Sequence, residues 1–358
     1  MLNQEKLLDA AITARQQYLK EKYNTDQRLS RLYDDEQAQV QRITSWTKSY
    51  IATQESIVSF YSDGYEYGLN MSTYESFIPS DVRKMYNGQK PELTTAQWKE
   101  ILAKLRAANV PQVTFTGGEP TLRADLVDLV EVAQWFVTRL NTNGRLLTPE
   151  LCRRLYDASL DSVQVTLYSH DPAVHNALVG AEGFDDTVAG IKNAVAAGLS
   201  VSVNTPLCSL NTDYAATVRF VNGFGVRYVT CSGLIPSGSA EGAESQATRL
   251  TEEQLTDVLR RAVTAAEELG MEMDFTSPGW LKEETLRVLG LTLVPSCGAC
   301  LSNMAIAPDG GVIPCQSWLS SQPLGNMLTD DWDKIWQSQR CAAIRTKSAK
   351  MEHKQYHV

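Results

Sequence analysis

Four cysteines in the last quarter of the chain, Cys297, Cys300, Cys315 and Cys341, have spacings that suit metal chemistry. A Cys-x2-Cys pair sets two sulfurs on one turn, and the Asp-Gly-Gly hairpin signal in "MAIAPDGGVIPC" returns a third. Four thiolates so spaced fit a tetrahedral zinc ion or a [4Fe–4S] cluster, both of which bind thiolate sulfur. The chain has seven cysteines in all, an odd count that does not read as a disulfide framework. Cys152, Cys208 and Cys231 have apolar neighbours and read as core thiols.

A second chemical signal is "TGGEP", which directly follows a β-prone run. Gly117 and Gly118 let the backbone approach a ligand without a Cβ in the way, and Glu119 adds a carboxylate able to receive an ammonium. His170 and His175 in "SHDPAVHN" stand five apart, off a common helical face, and read as loop and helix-start residues rather than a metal pair. Between "SIVSFYS" and the glycine loop lies "YGLNMSTYE", which has the spacing of a three-ligand loop but no cysteine.

The elements that must position these residues are legible from periodicity. From about residue 56 the β-prone runs "SIVSFYS", "QVTFT", "VTRLNT", "SVQVTLY", "LSVSVNT" and "VRYVT" alternate with helical stretches such as "TTAQWKEILAKLRAAN" and "TEEQLTDVLRRAVTAAEELG". Three of the helices open on Thr with an acidic residue or Gln shortly after, as an N-cap does. Six strand-helix units predict an α/β fold, a partial (βα)6 barrel with a parallel sheet and a site at the C-terminal ends of its strands. The predicted organisation is a helical extension over 1–55, with Leu7, Leu8, Ala11 and Ile12 on one face, then the barrel over 56–276. A small, turn-rich, cysteine-containing appendage follows over 277–358.

The chain has 358 residues, 43% hydrophobic, enough for a large core, and a net charge of −9. That charge argues against nucleic acid or an anionic membrane surface as partner, since both reward clustered Lys and Arg. The N-terminal stretch has no apolar run of signal-peptide length and no later run reaches a membrane span, so the expected location is the cytoplasm.

Taken together, "VTFTGGEPTLRADLVDLV", "LNTNGRLL" and the stretch from "VQVTLYSHDP" to "NTPLCSLN" resemble the radical S-adenosylmethionine superfamily. "SNMAIAPDGGVIPCQSW" with "LGNMLTDDWDKIW" resembles its SPASM/twitch branch. The resemblance spans about residues 56 to 345 and implies that Gly117, Gly118 and Glu119 hold the methionine amino end of S-adenosylmethionine. Asn143 and Thr166 are the next polar contacts it implies, and at the C-terminal cysteines it favours one auxiliary [4Fe–4S] cluster over zinc.

In that family the loop after the first strand carries C-x3-C-x2-C for the radical-generating cluster. The matching positions here are Tyr67, Met71 and Tyr74, and phenols and a thioether are poor substitutes for thiolates. Three readings stand: a degenerate member that kept the scaffold, an altered version of an active enzyme, or an unfamiliar ligand set. The expectation is a scaffold that retains S-adenosylmethionine or peptide binding. Its rivals are an atypical active enzyme acting on a peptide or small molecule, and a non-radical enzyme reusing the barrel mouth. A protein partner fits the scaffold reading.

Overall fold

The computed structural model describes residues 92–234, 248–291, 298–318 and 322–349, together with the backbone of one earlier strand. The helical extension, the loop with Tyr67, Met71 and Tyr74, and Cys297 lie outside the described residues. The described part belongs to a compact unit over Gln54–Val358.

Seven parallel strands run in chain order: β1 (Ile57–Phe60), β2 (Gln112–Phe115), β3 (Val137–Thr142), β4 (Ser162–Thr166), β5 (Ser200–Leu207), β6 (Tyr228–Gly233) and β7 (Glu272–Phe275). The six predicted strands are all present and all paired in parallel. The seventh, "EMDF", pairs in parallel with β6 and is too short and too acidic to stand out by period. Between the strands run α1 (Thr95–Ala107), α2 (Leu126–Val132), α3 (Pro149–Asp157), α4 (Pro172–Val179), α5 (Phe184–Ala196), α6 (Tyr214–Asn222) and α7 (Glu252–Glu268), and α8 (Glu283–Val288) follows β7. Each β-helix-β step is a crossover that keeps the next strand parallel.

The predicted Thr caps are in place. Thr94 and Thr251 form capping boxes with Gln97 and Gln254, and Thr148 caps α3 ahead of Pro149. Each such cap stabilises its helix by about 1 kcal/mol. Helix α4 places His175 in its interior, buried, where its Nδ1 accepts the Tyr168 N–H at 3.3 Å. Burial, and then the charge of Arg145, push its pKa below the usual value.

The predicted hairpin forms as β8 (Asn303–Ile306) and β9 (Gly311–Ile313), with Gly310 at φ +84° in its turn. The sequence reads it as part of an appendage, yet β8 joins the main sheet in parallel beside β1, Ile57 opposite Asn303. Antiparallel β9 and β10 (Gly325–Asn326) continue the sheet to ten strands. The apolar run "MAIA" explains the difference, because burying both of its faces requires neighbours on both sides. Helices α9 (Trp332–Trp336) and α10 (Gln339–Ala349) complete the region. Lys104 of α1 donates to the carbonyls of Met327 and Leu328 at 2.7 and 2.8 Å, tying this region to the barrel.

Two faces of the sheet differ in chemistry. Leu140, Val163, Val165, Val203, Val229, Cys231 and Phe275 belong to one apolar core with helix residues such as Leu105, Leu155, Ile191 and Val218. The alternate positions face the inside of the partial barrel and are nearly all polar.

Candidate site at the barrel mouth and the C-terminal cysteines

Strand β2 ends at Phe115 and the glycine loop follows, with Gly117 at φ +154°, a backbone conformation that L side chains rarely adopt. Gly118 is exposed, and Glu119, only 7% exposed, caps the short 3-10 turn Pro120–Leu122. Its Oε1 accepts the Thr121 N–H at 3.0 Å and the hydroxyls of Thr121 and Thr142 at 2.5 and 2.6 Å. Its Oε2 accepts the Asn143 N–H at 2.8 Å. A carboxylate offers about four acceptor positions, so Glu119 spends its capacity fastening the glycine loop to the end of β3.

Asn143, exposed at the rim, accepts the Arg145 N–H on its Oδ1 at 2.9 Å, and its carbonyl accepts the Thr187 hydroxyl at 2.9 Å. Gly144, at φ +80°, lets α5 close on this turn: a Cβ at Gly190 would stand 1.9 Å from the Gly144 carbonyl oxygen. Thr166 is the last residue of β4, half-buried and opposite Asn204 of β5. Gly117, Gly118, Glu119, Asn143 and Thr166 thus stand at the C-terminal ends of three neighbouring strands, with Glu119 joining the first two.

Below this rim lies a polar face that the motif reading passes over. On this one face of β3 to β7 stand, in three successive rows, Arg139, Asn141, Gln164, Asn204, Tyr228, Thr230 and Asp274. Gln164 Nε2 donates to Thr230 Oγ1 at 3.1 Å, Thr230 donates to Asn204 Oδ1 at 2.9 Å, and the Tyr228 hydroxyl donates to Asp274 at 2.7 Å. The signal was available as strict alternation in "SVQVT" and "SVSVN", which is unusual for a parallel sheet buried on both faces.

At the C-terminal cysteines, Cys300 is buried at φ +54°, and its N–H donates to the carbonyls of Asn303 and Pro314 at 3.0 and 3.3 Å. That places it beside the residue preceding Cys315, whose Sγ is 4.0 Å from Asn303 Nδ2. The Cys300 thiol is hydrogen-bonded to Cys341, which raises the pKa of Cys300 and lowers that of Cys341 to about 7; burial works against the latter and the charge of Arg345 assists it. Arg345 donates to Cys341 Sγ at 3.3 Å and to the Cys300 and Trp336 carbonyls at 2.8 and 2.6 Å, and stacks on the Trp336 ring.

The structure therefore joins Cys300 to Cys341 and brings the Cys315 segment alongside Cys300. Among the described residues no three His, Cys, Asp or Glu side chains converge as a metal site, and Cys297 lies outside them. Free, buried thiols with one held toward the thiolate are donors of the chemistry that iron–sulfur clusters and zinc take.

A parallel partial barrel with a glycine loop at its mouth and a cysteine-bearing C-terminal region defines a class of cofactor-dependent protein. The radical SAM superfamily matches the chain over residues 76–221 and the SPASM iron-sulfur cluster-binding domain over 297–357. The chain thus carries a radical SAM domain followed by a SPASM domain, and the families of these domains bind iron–sulfur clusters and S-adenosylmethionine. A PqqA peptide cyclase of Streptomyces rochei is 28% identical over 272 residues, 70% of this chain and 69% of that protein. The SuiB structure of Streptococcus suis with its precursor peptide SuiA aligns at TM-score 0.62 and 16% identity, over 88% of this chain and 72% of that one. AnSMEcpe with bound AdoMet aligns at TM-score 0.59 and 15% identity, over 82% and 84%. At such identities the likeness is one of fold.

Proposed function

We propose that this chain is a radical SAM/SPASM-type protein that binds a peptide and S-adenosylmethionine but does not generate the 5′-deoxyadenosyl radical. The observation that carries this reading is in the sequence: no cysteine precedes Cys152, and Tyr67, Met71 and Tyr74 stand where the family's cluster thiolates belong. The superfamily match beginning at residue 76, just past that loop, supports it.

In this reading Gly117 and Gly118 present main-chain groups to the methionine end of S-adenosylmethionine, with Glu119 holding the loop and Asn143 and Thr166 on the rim. Cys297, Cys300, Cys315 and Cys341 hold one auxiliary [4Fe–4S] cluster, with zinc as the rival. A bound cluster would supply electron transfer; the chain's part is to bury the pair and to favour the Cys341 thiolate, through the Cys300 hydrogen bond first and the Arg345 charge after it. The partner is a peptide, the charge of −9 disfavours nucleic acid, and the place is the cytoplasm. Among the described residues no helix is long and apolar enough to cross a membrane.

A second reading, an atypical active peptide-modifying enzyme, is favoured by the intact Glu119 anchor and by the likeness to a PqqA peptide cyclase. Anaerobic purification with iron and sulfide analysis separates the two. About four irons per chain and no 5′-deoxyadenosine under strong reductant support the scaffold, whereas about eight irons, or 5′-deoxyadenosine above background, overturn it.

A further inference from the structure

The inner face of the barrel is nearly satisfied by its own hydrogen bonds from β4 to β7, and it is not satisfied at β3. The Gln164–Thr230–Asn204 chain and the Tyr228–Asp274 pair leave those groups partnered. Arg139 Nε and Asn141 Oδ1 are buried and have no hydrogen-bond partner among the described residues. A buried guanidinium donor without an acceptor is costly, so native proteins retain one where something external completes it. Arg139 sits one row below Asn141, opposite Thr114 and Ser162, on the face turned from the helices. Its charge acts on the Tyr228 phenol three strands away, which requires the sheet to curl the two toward each other across the interior.

We infer that Arg139 is a specificity-determining residue that receives the carboxylate of an acidic side chain from the bound peptide, with Asn141 Oδ1 accepting an N–H of the same residue. The inference rests on the peptide-binding reading above and names its substrate class. A singly charged carboxylate fits better than a phosphate. The same face carries Asp274 and Glu272, in line with β6 and β7, and their negative charge penalises a dianion while Arg139 offers a single fork. Arg139 lies three residues, about 10 Å along the strand, below the last residue of β3, a depth that the long arginine side chain and an acidic side chain entering from the rim would share.

The test uses two capped amino acids as probes, N-acetyl-glutamate N-methylamide and its glutamine isostere, with anaerobically purified full chain. A longer peptide, Ala-Ala-Glu-Ala-Ala, and its Gln counterpart serve as the second pair. Binding is read by thermal shift and calorimetry at low salt. The glutamate probes are expected to bind about tenfold more tightly than the glutamine ones, and Arg139→Gln to reduce that ratio to about twofold or less, with Arg139→Lys between.

Removing a guanidinium whose buried Nε has no acceptor is expected to leave the melting temperature of the ligand-free Arg139→Gln protein equal to or above the parent's. A fall of more than a few degrees would show that Arg139 is a structural residue and overturn the inference. Equal binding of both members of each pair overturns the inference and leaves the peptide-binding reading standing. Failure of every probe to bind the parent overturns both.

Discussion

Replacing Glu119 with Ala tests whether its carboxylate is the fastener between the glycine loop and β3. The parent carboxylate accepts four hydrogen bonds, from Thr121 twice, Thr142 and Asn143, at 2.5 to 3.0 Å. Hydrogen bonds to a charged acceptor contribute about 1.5–3 kcal/mol each, but the variant also sheds the desolvation cost of a carboxylate that is 7% exposed. Water reaching the vacated space re-satisfies the exposed Asn143 side more readily than the Thr142 hydroxyl, which is buried. The balance is a destabilisation of about 2–4 kcal/mol for Glu119→Ala.

Glu119→Gln should cost about half as much, because its oxygen can keep the three donors at one end while its NH2 faces the Asn143 N–H, donor against donor. Urea unfolding of the anaerobic protein, followed by tryptophan fluorescence, measures both. S-adenosylmethionine affinity should fall alongside in each variant as the loop loosens. A Glu119→Ala midpoint equivalent to less than about 0.5 kcal/mol of change would refute the fastening role.

Gly190→Ala should be severely destabilising, by about 3 kcal/mol or more, although Ala is ordinarily the better helix residue by about 1 kcal/mol, because its Cβ would meet the Gly144 carbonyl at 1.9 Å. A melting temperature at or above the parent's would refute that close approach. His175 predicts a pH dependence. Its folded pKa lies below the ordinary 6.5, so the unfolded chain binds a proton that the folded chain refuses. Stability is then fully present above 6.5 and is lost as pH falls from there toward the folded pKa. His175→Leu should show a smaller drop in unfolding midpoint between pH 8 and pH 5 than the parent, and equal drops would remove His175 as the cause.

What the sequence made legible follows from how local each signal is. The strands up to β6 and the Thr-capped helices are set by alternation and caps within one element, and they stand where the spacing puts them. Strand β7 is short and acidic and is defined by its pairing with β6, whereas α4 is set locally by the Asp171 cap, Pro172 and the left-handed Gly180, signals that alternation and Thr caps do not include. The glycine loop is legible as a loop, but Glu119's role is not, since its partners Thr142 and Asn143 lie more than twenty positions away on the next strand. The polar interior was written in the alternation of β4 and β5. Its meaning needs the register that aligns Arg139, Gln164, Asn204 and Thr230 on one face. Pairing of Cys300 with Cys341 depends on α10 docking through Arg345 and Ser348, whose contacts reach back more than forty residues.

The placement of those cysteines bears on whether a cluster they hold could serve S-adenosylmethionine at the glycine loop. Strand β8 runs parallel to β1, and Cys300 precedes it; β9 runs back, and Cys315 follows it. Both therefore sit at the edge where the parallel strands begin, whereas Gly117, Asn143 and Thr166 sit where those strands end. A four-residue strand spans about 13 Å, so a cluster at Cys300 and Cys341 is roughly that far from the glycine loop. Chelation of S-adenosylmethionine needs an iron bonded to its amino and carboxylate groups, which that separation forbids. The double variant Cys300→Ser, Cys341→Ser should accordingly lose essentially all bound iron, and the triple variant Tyr67→Cys, Met71→Cys, Tyr74→Cys should rise from about four to about eight irons per chain and gain 5′-deoxyadenosine production. Iron retained by the double variant would mean that the ligands lie elsewhere, and 5′-deoxyadenosine from the unaltered chain would mean that the first site holds its cluster without cysteine.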